Sequence, residues 1–482
     1  MALQGKQKTY DSLRRNIRAV ITRICCQISK FGIANLSAVF HPEIEKLPLA
    51  KLRQLQTERL TELVPYLYNR VPFYKKKLDE HGIHPLAIKT IDDIHLLPFT
   101  KKADLRDNYP FGLFAVPQQE MARIHCSSGT TGKPTVVAYT KHDLDVFSDT
   151  VARSLAAAGC KPGMILQNAY GYGLFTGGLG IHYGAEKLGM TVVPISGGGT
   201  DRQLMLLQDF KPEALCCTPS YAQTLAQELV KRNIPLENIN LRFGILGAEP
   251  WTEVVRTEVE KGLGLTATNI YGLSEIMGPG ISQEDYEEKG TGCYIWEDHY
   301  FPEIVDKDTG TPVKEGEYGV LIFTTLTKKG MPMLRYWTND ITNIYYDKAG
   351  KRTHVKMGPI RGRADDMLII RGVNLFHTQV EDILNGMPKL SANYQLIVRH
   401  EGAMDEVEVK VELAEQLFHE LKLEDATDIQ NDEQVKAIGH AFSKKIKDNI
   451  GLTMRISIVG INEIPRSEGG KLNRIVDLRK LK

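Results

Sequence analysis

The stretch His125-Cys126-Ser127-Ser128-Gly129-Thr130-Thr131-Gly132-Lys133-Pro134-Thr135 concentrates hydroxyls, glycines and one ammonium within a few positions. That is the chemistry of a phosphate cradle, because glycines let N–H groups approach an anion and Ser, Thr and Lys add donors. It is not the G-x-x-x-x-G-K-[ST] loop: Ser127 stands at the first Gly position and Pro134 follows the lysine. Pro134 has no N–H and biases Lys133 away from helix, so the stretch is expected to join two strands. Four later segments repeat the mixture of glycine, hydroxyl and charge. They are Tyr271-Gly272-Leu273-Ser274-Glu275, Tyr336-Trp337-Thr338-Asn339-Asp340, Gly362-Arg363-Ala364-Asp365-Asp366 and Pro465-Arg466-Ser467-Glu468-Gly469-Gly470-Lys471-Leu472-Asn473-Arg474.

Elements that could position these residues are legible from apolar spacing. Apolar residues recur at three and four through Lys51–Asn69, which predicts a helix. Val136–Tyr139, Thr191–Ile195, Ala214–Thr218 and Phe243–Leu246 read as short strands. Asp143–Ala158, Tyr221–Lys231 and Trp251–Lys261 read as helices between them. Such alternation predicts an α/β protein with a buried sheet. Gly-rich links at Gly171–Gly180 and Gly197–Gly199 fall at strand ends, where α/β folds place ligands. Composition shifts after Arg363. Strands at Tyr394–Val398, Glu406–Leu413 and Arg455–Ile461, with a helix at Asp432–Asn449, suggest a small α+β unit.

At 482 residues the chain can hold two or three domains. Its net charge of +1 gives no reason to expect nucleic acid, and no run of eighteen apolar residues could span a membrane. The seven cysteines include two adjacent pairs and no C-x-x-C, which is neither a disulfide framework nor a zinc pattern, so a cytoplasmic location is the simplest reading. Cys126 reads as a buried filler rather than a nucleophile. The first forty residues carry seven Lys/Arg and one acid, with Ile17, Val20, Ile21 and Ile24 at helical spacing. They read as an amphipathic extension packed on the body, with a presequence or membrane-surface helix as the competing reading.

The five segments, in this order, resemble the core motifs of the adenylate-forming superfamily (acyl-CoA synthetases, luciferases and peptide-synthetase adenylation domains). Asp107–Ala115, Tyr170–Gly178, Ile295–His299 and Arg371–Asn374 are most similar to the phenylacetate–CoA ligase family. Two positions depart from the Y-R-T-G-D pattern, Trp337 and Asn339, which puts the local backbone before Asp340 in question. The resemblance implies a large multi-layer α/β adenylation domain (41–365) and a small mobile α+β C-terminal domain (366–482), after an extension of residues 1–40.

It also implies ATP, Mg²⁺ and coenzyme A as cofactors or co-substrates, with an aryl-acetic acid as the small-molecule partner. Ser127, Ser128, Gly129, Thr130, Thr131, Gly132 and Lys133 would hold the β- and γ-phosphates. Glu275 would bind Mg²⁺, Asp340 and Arg363 the ribose, and Gly247, Ala248, Glu249, Pro250, Asn269, Ile270, Tyr271, Gly272 and Ser274 would surround the rest of the nucleotide. Tyr170, Phe175, Gly177, Ala248 and Ile270 would line the acid pocket. Lys471 would be the catalytic cation between two anions, Asp365 the hinge, and Arg371 and Gly372 part of the CoA tunnel. Three readings compete with CoA ligation: adenylyl transfer to a phenolic deazaflavin, loading of a carrier protein, and a degenerate acyl-adenylate-binding module. A homodimer is allowed but not dictated.

Overall fold

The structure is a computed structural model, and it describes residues 39–127, 135–364, 368–370, 373–401, 404–421, 423, 426–465 and 472–480. The N-terminal extension up to residue 38 therefore lies outside the described residues. Two helices, α1 (Leu49–Arg70) and α2 (Pro72–Glu80), precede an antiparallel pair, β1 (Met121–Ser127) and β2 (Thr135–Thr140). The pair closes on Ser127 opposite Thr135, so the glycine-rich stretch joins two strands as its Pro134 implied.

Helix α3 (Lys141–Ala157) starts directly after β2. Thr140 accepts from the Asp143 amide and the Asp143 carboxylate accepts from the Thr140 amide, a reciprocal cap that satisfies two otherwise orphan donors. Then come β3 (Ile165–Asn168), α4 (Gly177–Leu188), β4 (Thr191–Val193), α5 (Thr200–Asp209), β5 (Ala214–Cys217), α6 (Pro219–Lys231), β6 (Phe243–Gly247), α7 (Glu253–Leu263) and β7 (Thr266–Leu273). The strands and helices read from the sequence in this part are present within two residues at each end. Helix α7 begins at Glu253 rather than Trp251 because Thr252 caps it through the Val255 amide.

Strands β3 to β7 are parallel neighbours in a nine-stranded sheet. After β7 the chain turns antiparallel. Strands β8 (Gly278–Glu284) and β9 (Cys293–Ile295) extend that sheet, and β10 (Tyr300–Val305), β11 (Gly319–Thr325) and β12 (Tyr336–Thr342) begin a second one. Strands β13 (Ile344–Tyr345) and β14 (Lys356–Met357) finish the first sheet, whose order is β13-β14-β9-β8-β7-β6-β5-β3-β4, and β15 (Gly362–Arg363) finishes the second. The period-two alternation of strands distributes β5 between two cores. Ala214 and Cys216 pack with Val151 and Ile181 of α3 and α4, whereas Leu215 and Cys217 pack with Leu225 and Val259 of α6 and α7. The adjacent cysteines are thus core filler on opposite faces of one strand.

Strands β16 (Leu368–Ile370) and β17 (Val373–Leu375) pair, and helix α8 (His377–Asn385) follows. A four-stranded sheet, β20-β19-β18-β21, then forms from β18 (Leu390–Glu401), β19 (Met404–Leu413), β20 (Arg455–Val459) and β21 (Ile475–Asp477). Val380 and Leu384 of α8, with Val435, Ile438, Phe442 and Ile446 of α9 (Glu433–Ile450), cover Leu396, Val398, Val409 and Val411 in a core separate from the larger one. The mixed α/β architecture with a large N-terminal and a small C-terminal domain agrees with the sequence expectation.

Candidate functional site

A cavity of about 690 Å³ opens where β6 and β7 end. Its large-domain wall includes Ala248–Trp251, Asn269–Leu273, Asp340 and Arg363; its small-domain wall includes His377, Glu381, Ala392 and Leu472–Ile475. Cavities at the carboxyl ends of parallel strands are where open α/β sheets bind ligands. Close backbone packing shapes the floor. A Cβ on Gly247 would lie 2.0 Å from the Ile270 carbonyl oxygen, and one on Gly272 would lie 1.9 Å from that of Gly278. No side chain fits at either place. Ala248 continues from Gly247 in the left-handed region (φ 70°), and the Glu249 carboxylate accepts from the Ser220 amide at 2.8 Å, at the start of α6.

Asp340 and Arg363 lie opposite each other on β12 and β15, with Arg363 Nη1 3.8 Å from Asp340 Oδ1. Tyr271 donates its hydroxyl to Asp340 Oδ2 at 2.6 Å, and the Asp340 amide donates to Thr338 Oγ1. Burial, reinforced by the Asp340 charge, raises the Tyr271 phenol well above its ordinary value, so it stays a donor. The motif departures before Asp340 fit one another. Asn339 adopts the left-handed backbone that glycine takes freely (φ 69°), and its Oδ1 accepts the Trp337 indole N–H at 2.8 Å. The backbone that the sequence left in question is thereby formed.

Glu275 sits on a turn between β7 and β8 and is 7 % exposed. Tyr336 donates to its Oε1 at 3.3 Å, and Ser274 Oγ meets Thr176 Oγ1 at 3.0 Å. Among the described residues no three His, Cys, Asp or Glu side chains cluster as a metal cage. Glu275 is not among the residues that line the cavity above, but a single carboxylate suits Mg²⁺, which keeps most of its shell for water and phosphate oxygens. Beneath the turn lie two residues that the sequence did not single out, Tyr139 and Lys328. Burial lowers the Lys328 ammonium to about 8, against the raising charges of Asp143 and Glu275. Nothing local flags Lys328, whose Thr-Lys-Lys-Gly context reads as an exposed turn.

Of the expected acid-pocket residues, Tyr170 is buried, a Cβ on Gly177 would lie 3.7 Å from Tyr170 Cβ, and Ile270 is 3 % exposed. Phe175 is instead half-exposed, next to exposed Leu174. The Leu174 carbonyl accepts from the Cys126 amide and lies 3.0 Å from His125 Nδ1, tying this loop to β1. Across the cavity, Tyr394 is the hub of the small-domain wall. Its hydroxyl donates to the His377 carbonyl at 2.8 Å and lies 3.1 Å from His377 Nδ1, and the Arg474 guanidinium covers its ring at 4.3 Å. Burial, then the Arg474 charge, lowers His377 to about 4; burial raises Glu381. Ser127 ends β1, and nothing is described of its side chain. Ser128, Gly129, Thr130, Thr131, Gly132, Lys133, Asp365, Arg371, Gly372 and Lys471 lie outside the described residues.

Residues 29–337 match the AMP-binding enzyme family, and residues 372–479 match the AMP-binding enzyme C-terminal domain. A phenylacetate-coenzyme A ligase of Thermus thermophilus is 59% identical over 445 residues, covering 92% of this chain and 100% of that one. A phenylacetate-coenzyme A ligase of Escherichia coli is 47% identical, covering 91% and 97% respectively. Among solved structures, 2-hydroxyisobutyryl-CoA ligase in the postadenylation state with 2-HIB-AMP superposes with a TM-score of 0.84 at 26% identity, covering 93% of this chain and 94% of that one. The same ligase with 2-HIB-AMP and CoA in its thioesterification state gives 0.67 at 26% identity, covering 93% and 95%. Among the described residues no helix is long and apolar enough to cross a membrane.

Proposed function

The chain belongs to the AMP-binding enzyme family, and from that footing we propose that it is an ATP-dependent, AMP-forming phenylacetate–CoA ligase. The observation that carries the reading is the Tyr271–Asp340 hydrogen bond beside Arg363 in one cleft whose far wall is the small domain. The 59% identity to a phenylacetate-coenzyme A ligase supports the acid and the acceptor.

Thioester formation from a free carboxylate is uphill, so the acid is first joined to AMP. Its carboxylate oxygen attacks the α-phosphorus and pyrophosphate leaves. The thiol sulfur of CoA then attacks the acyl carbon and AMP leaves. The opening step brings two anions together, and a cation between them is worth most in the transition state. Lys471 is assigned that role. Ser127 to Lys133 would hold the departing phosphates, and Asp340, an acceptor only when ionised, would take the ribose hydroxyls. Glu275 would hold Mg²⁺ arriving with ATP, which supplies charge neutralisation at the phosphates. Tyr170, Gly177, Ala248 and Ile270 would form the acid pocket, with Phe175 moving onto the ring as acid binds. For the second step the small domain rotates about Asp365, withdrawing Lys471 and bringing Arg371 and Gly372 to the pantetheine arm.

Pyrophosphate release with ATP and Mg²⁺, across aryl and fatty acids, with and without CoA, tests the reading. Phenylacetate-dependent release that yields AMP and rises sharply with CoA is expected. Release indifferent to CoA would replace CoA by a carrier protein or a phenolic acceptor, and no release with any acid would leave a binding module. Lys471→Ala is expected to abolish adenylation while retaining thioester formation from supplied phenylacetyl-adenylate, and Gly372→Trp the reverse.

A further inference from the structure

The turn that carries Glu275 directs four successive carbonyls at two buried side chains. Tyr139 Oη lies 2.7 Å from the Met277 carbonyl and 3.3 Å from that of Ser274. Lys328 Nζ donates to the carbonyls of Ile276 at 2.9 Å and Glu275 at 3.3 Å. Lys328 is 1 % exposed and Tyr139 fully buried. Among the described residues Lys328 makes no ion pair. Its ammonium is met by those carbonyl dipoles and by the Tyr139 ring, 4.8 Å away.

A buried charge with no carboxylate partner is a costly way to fill a core. What it does here is specific, since it fixes the backbone of one residue and its neighbour in a tight turn. The lysine is itself held. The Asp143 carboxylate accepts from the amides of Lys329 (2.6 Å) and Gly330 (2.8 Å), and His142 Nε2 lies 3.1 Å from the Thr327 carbonyl. Tyr139, His142 and Asp143 belong to β2 and the start of α3, immediately after residues 128–134. One short segment therefore links the end of the glycine-rich stretch, the lysine and the Glu275 turn. From above, Tyr336 holds the carboxylate, so Glu275 is fixed at both its backbone and its side chain.

We propose that Lys328, together with Tyr139, is a positioning residue for the reaction: it fixes the Glu275 turn so that the carboxylate meets the Mg²⁺ that accompanies ATP. The proposal rests on the adenylation reading above, but not on which acid is used. Neither residue touches substrate; both act through Glu275.

The test is nucleotide binding with and without Mg²⁺, read by calorimetry with α,β-methylene-ATP on the full-length protein, beside the two half-reactions. Lys328→Met keeps length and removes charge and donors. It is expected to leave Mg²⁺-free affinity within about twofold and to lose about tenfold of the Mg²⁺-dependent tightening, the scale of a charged hydrogen bond. Adenylation should fall in parallel, while thioester formation from supplied phenylacetyl-adenylate stays within about twofold. Tyr139→Phe should show the same split at smaller amplitude, and it carries the test if Lys328→Met does not fold. Unchanged Mg²⁺ dependence in a folded variant, or equal loss of both half-reactions, overturns the proposal. Nucleotide binding is read without acid, so a wild-type protein inactive toward phenylacetate fails the functional reading alone.

Discussion

The two walls of the cleft are built by opposite means. The large-domain wall is set by backbone against backbone: Gly247 and Gly272 leave no room for a Cβ, and a buried lysine and tyrosine clamp the turn between β7 and β8. The small-domain wall is set by side chains gathered on Tyr394, with His377, Glu381 and Arg474 around it. The first has one way to fit together, whereas the second carries its structure within itself and can be docked elsewhere. That is the division expected of an enzyme that keeps its nucleotide in place while the facing domain takes a second position.

Breaking the rigid wall should have the largest effect. Gly272→Ala forces a methyl against the Gly278 carbonyl, a contact that no rotamer relieves. Overpacking of this kind costs about 3 kcal/mol or more, so adenylation should fall by over about a hundredfold, with a lower melting temperature. Tyr271→Phe is gentler, removing only the hydroxyl bonded to Asp340. A hydrogen bond to a charged group is worth roughly 1.5–3 kcal/mol, which predicts an ATP KM raised about tenfold or more. On the proposed role of Asp340 at the ribose, that penalty should largely vanish with 2′,3′-dideoxy-ATP. Measuring both nucleotides separates positioning of Asp340 from general damage.

The small-domain wall is best probed by pH. His377 titrates near 4 in the folded protein, below its ordinary value near 6.5, so it stays neutral where the unfolded chain takes up a proton. Its contribution is complete above about pH 6.5 and is lost as pH falls toward 4. With allowance for its partial exposure, about 1 kcal/mol should be gone by pH 5, seen as faster amide exchange in β18 and β19. His377→Gln should flatten that slope and leave the large-domain wall unaffected. A change of similar size is expected in Asn339→Ala. It loses the Trp337 hydrogen bond and keeps a left-handed backbone, for roughly 1 kcal/mol in thermal stability.

The same contrast explains what could be read from the sequence. Strands β4, β5 and β6 of the large sheet and helices α3, α6 and α7 were legible because apolar spacing marks them, whereas β3, β7, α4 and α5 were not read, the two helices having no side-chain cap to announce them. The second sheet, which presents Asp340, was not legible, because β10 and β11 are buried on both faces and so carry no alternation of apolar and polar residues. Asp340, Glu275 and Tyr271 were legible because their motif neighbours are local. Lys328 and Tyr139 were not, since the carbonyls they meet lie 52 and 138 residues away in sequence. Position 339 was only half legible. The loss of glycine was plain, but its remedy, the indole two residues earlier, needed coordinates.

The cysteines carry a last consequence. An acyl-adenylate waiting in the cleft is an acylating agent, and the nearest thiols are the protein's own. Among the described residues, Cys160, Cys216, Cys217 and Cys293 are buried, and burial holds all four above the ordinary thiol range. Cys126, half-buried on the strand that leads to the glycine-rich stretch, is raised as well. The thiolate is the form that attacks a carbonyl. Among the described residues, the fold therefore disfavours self-acylation at these five thiols and leaves the activated acid for the thiol that arrives from outside.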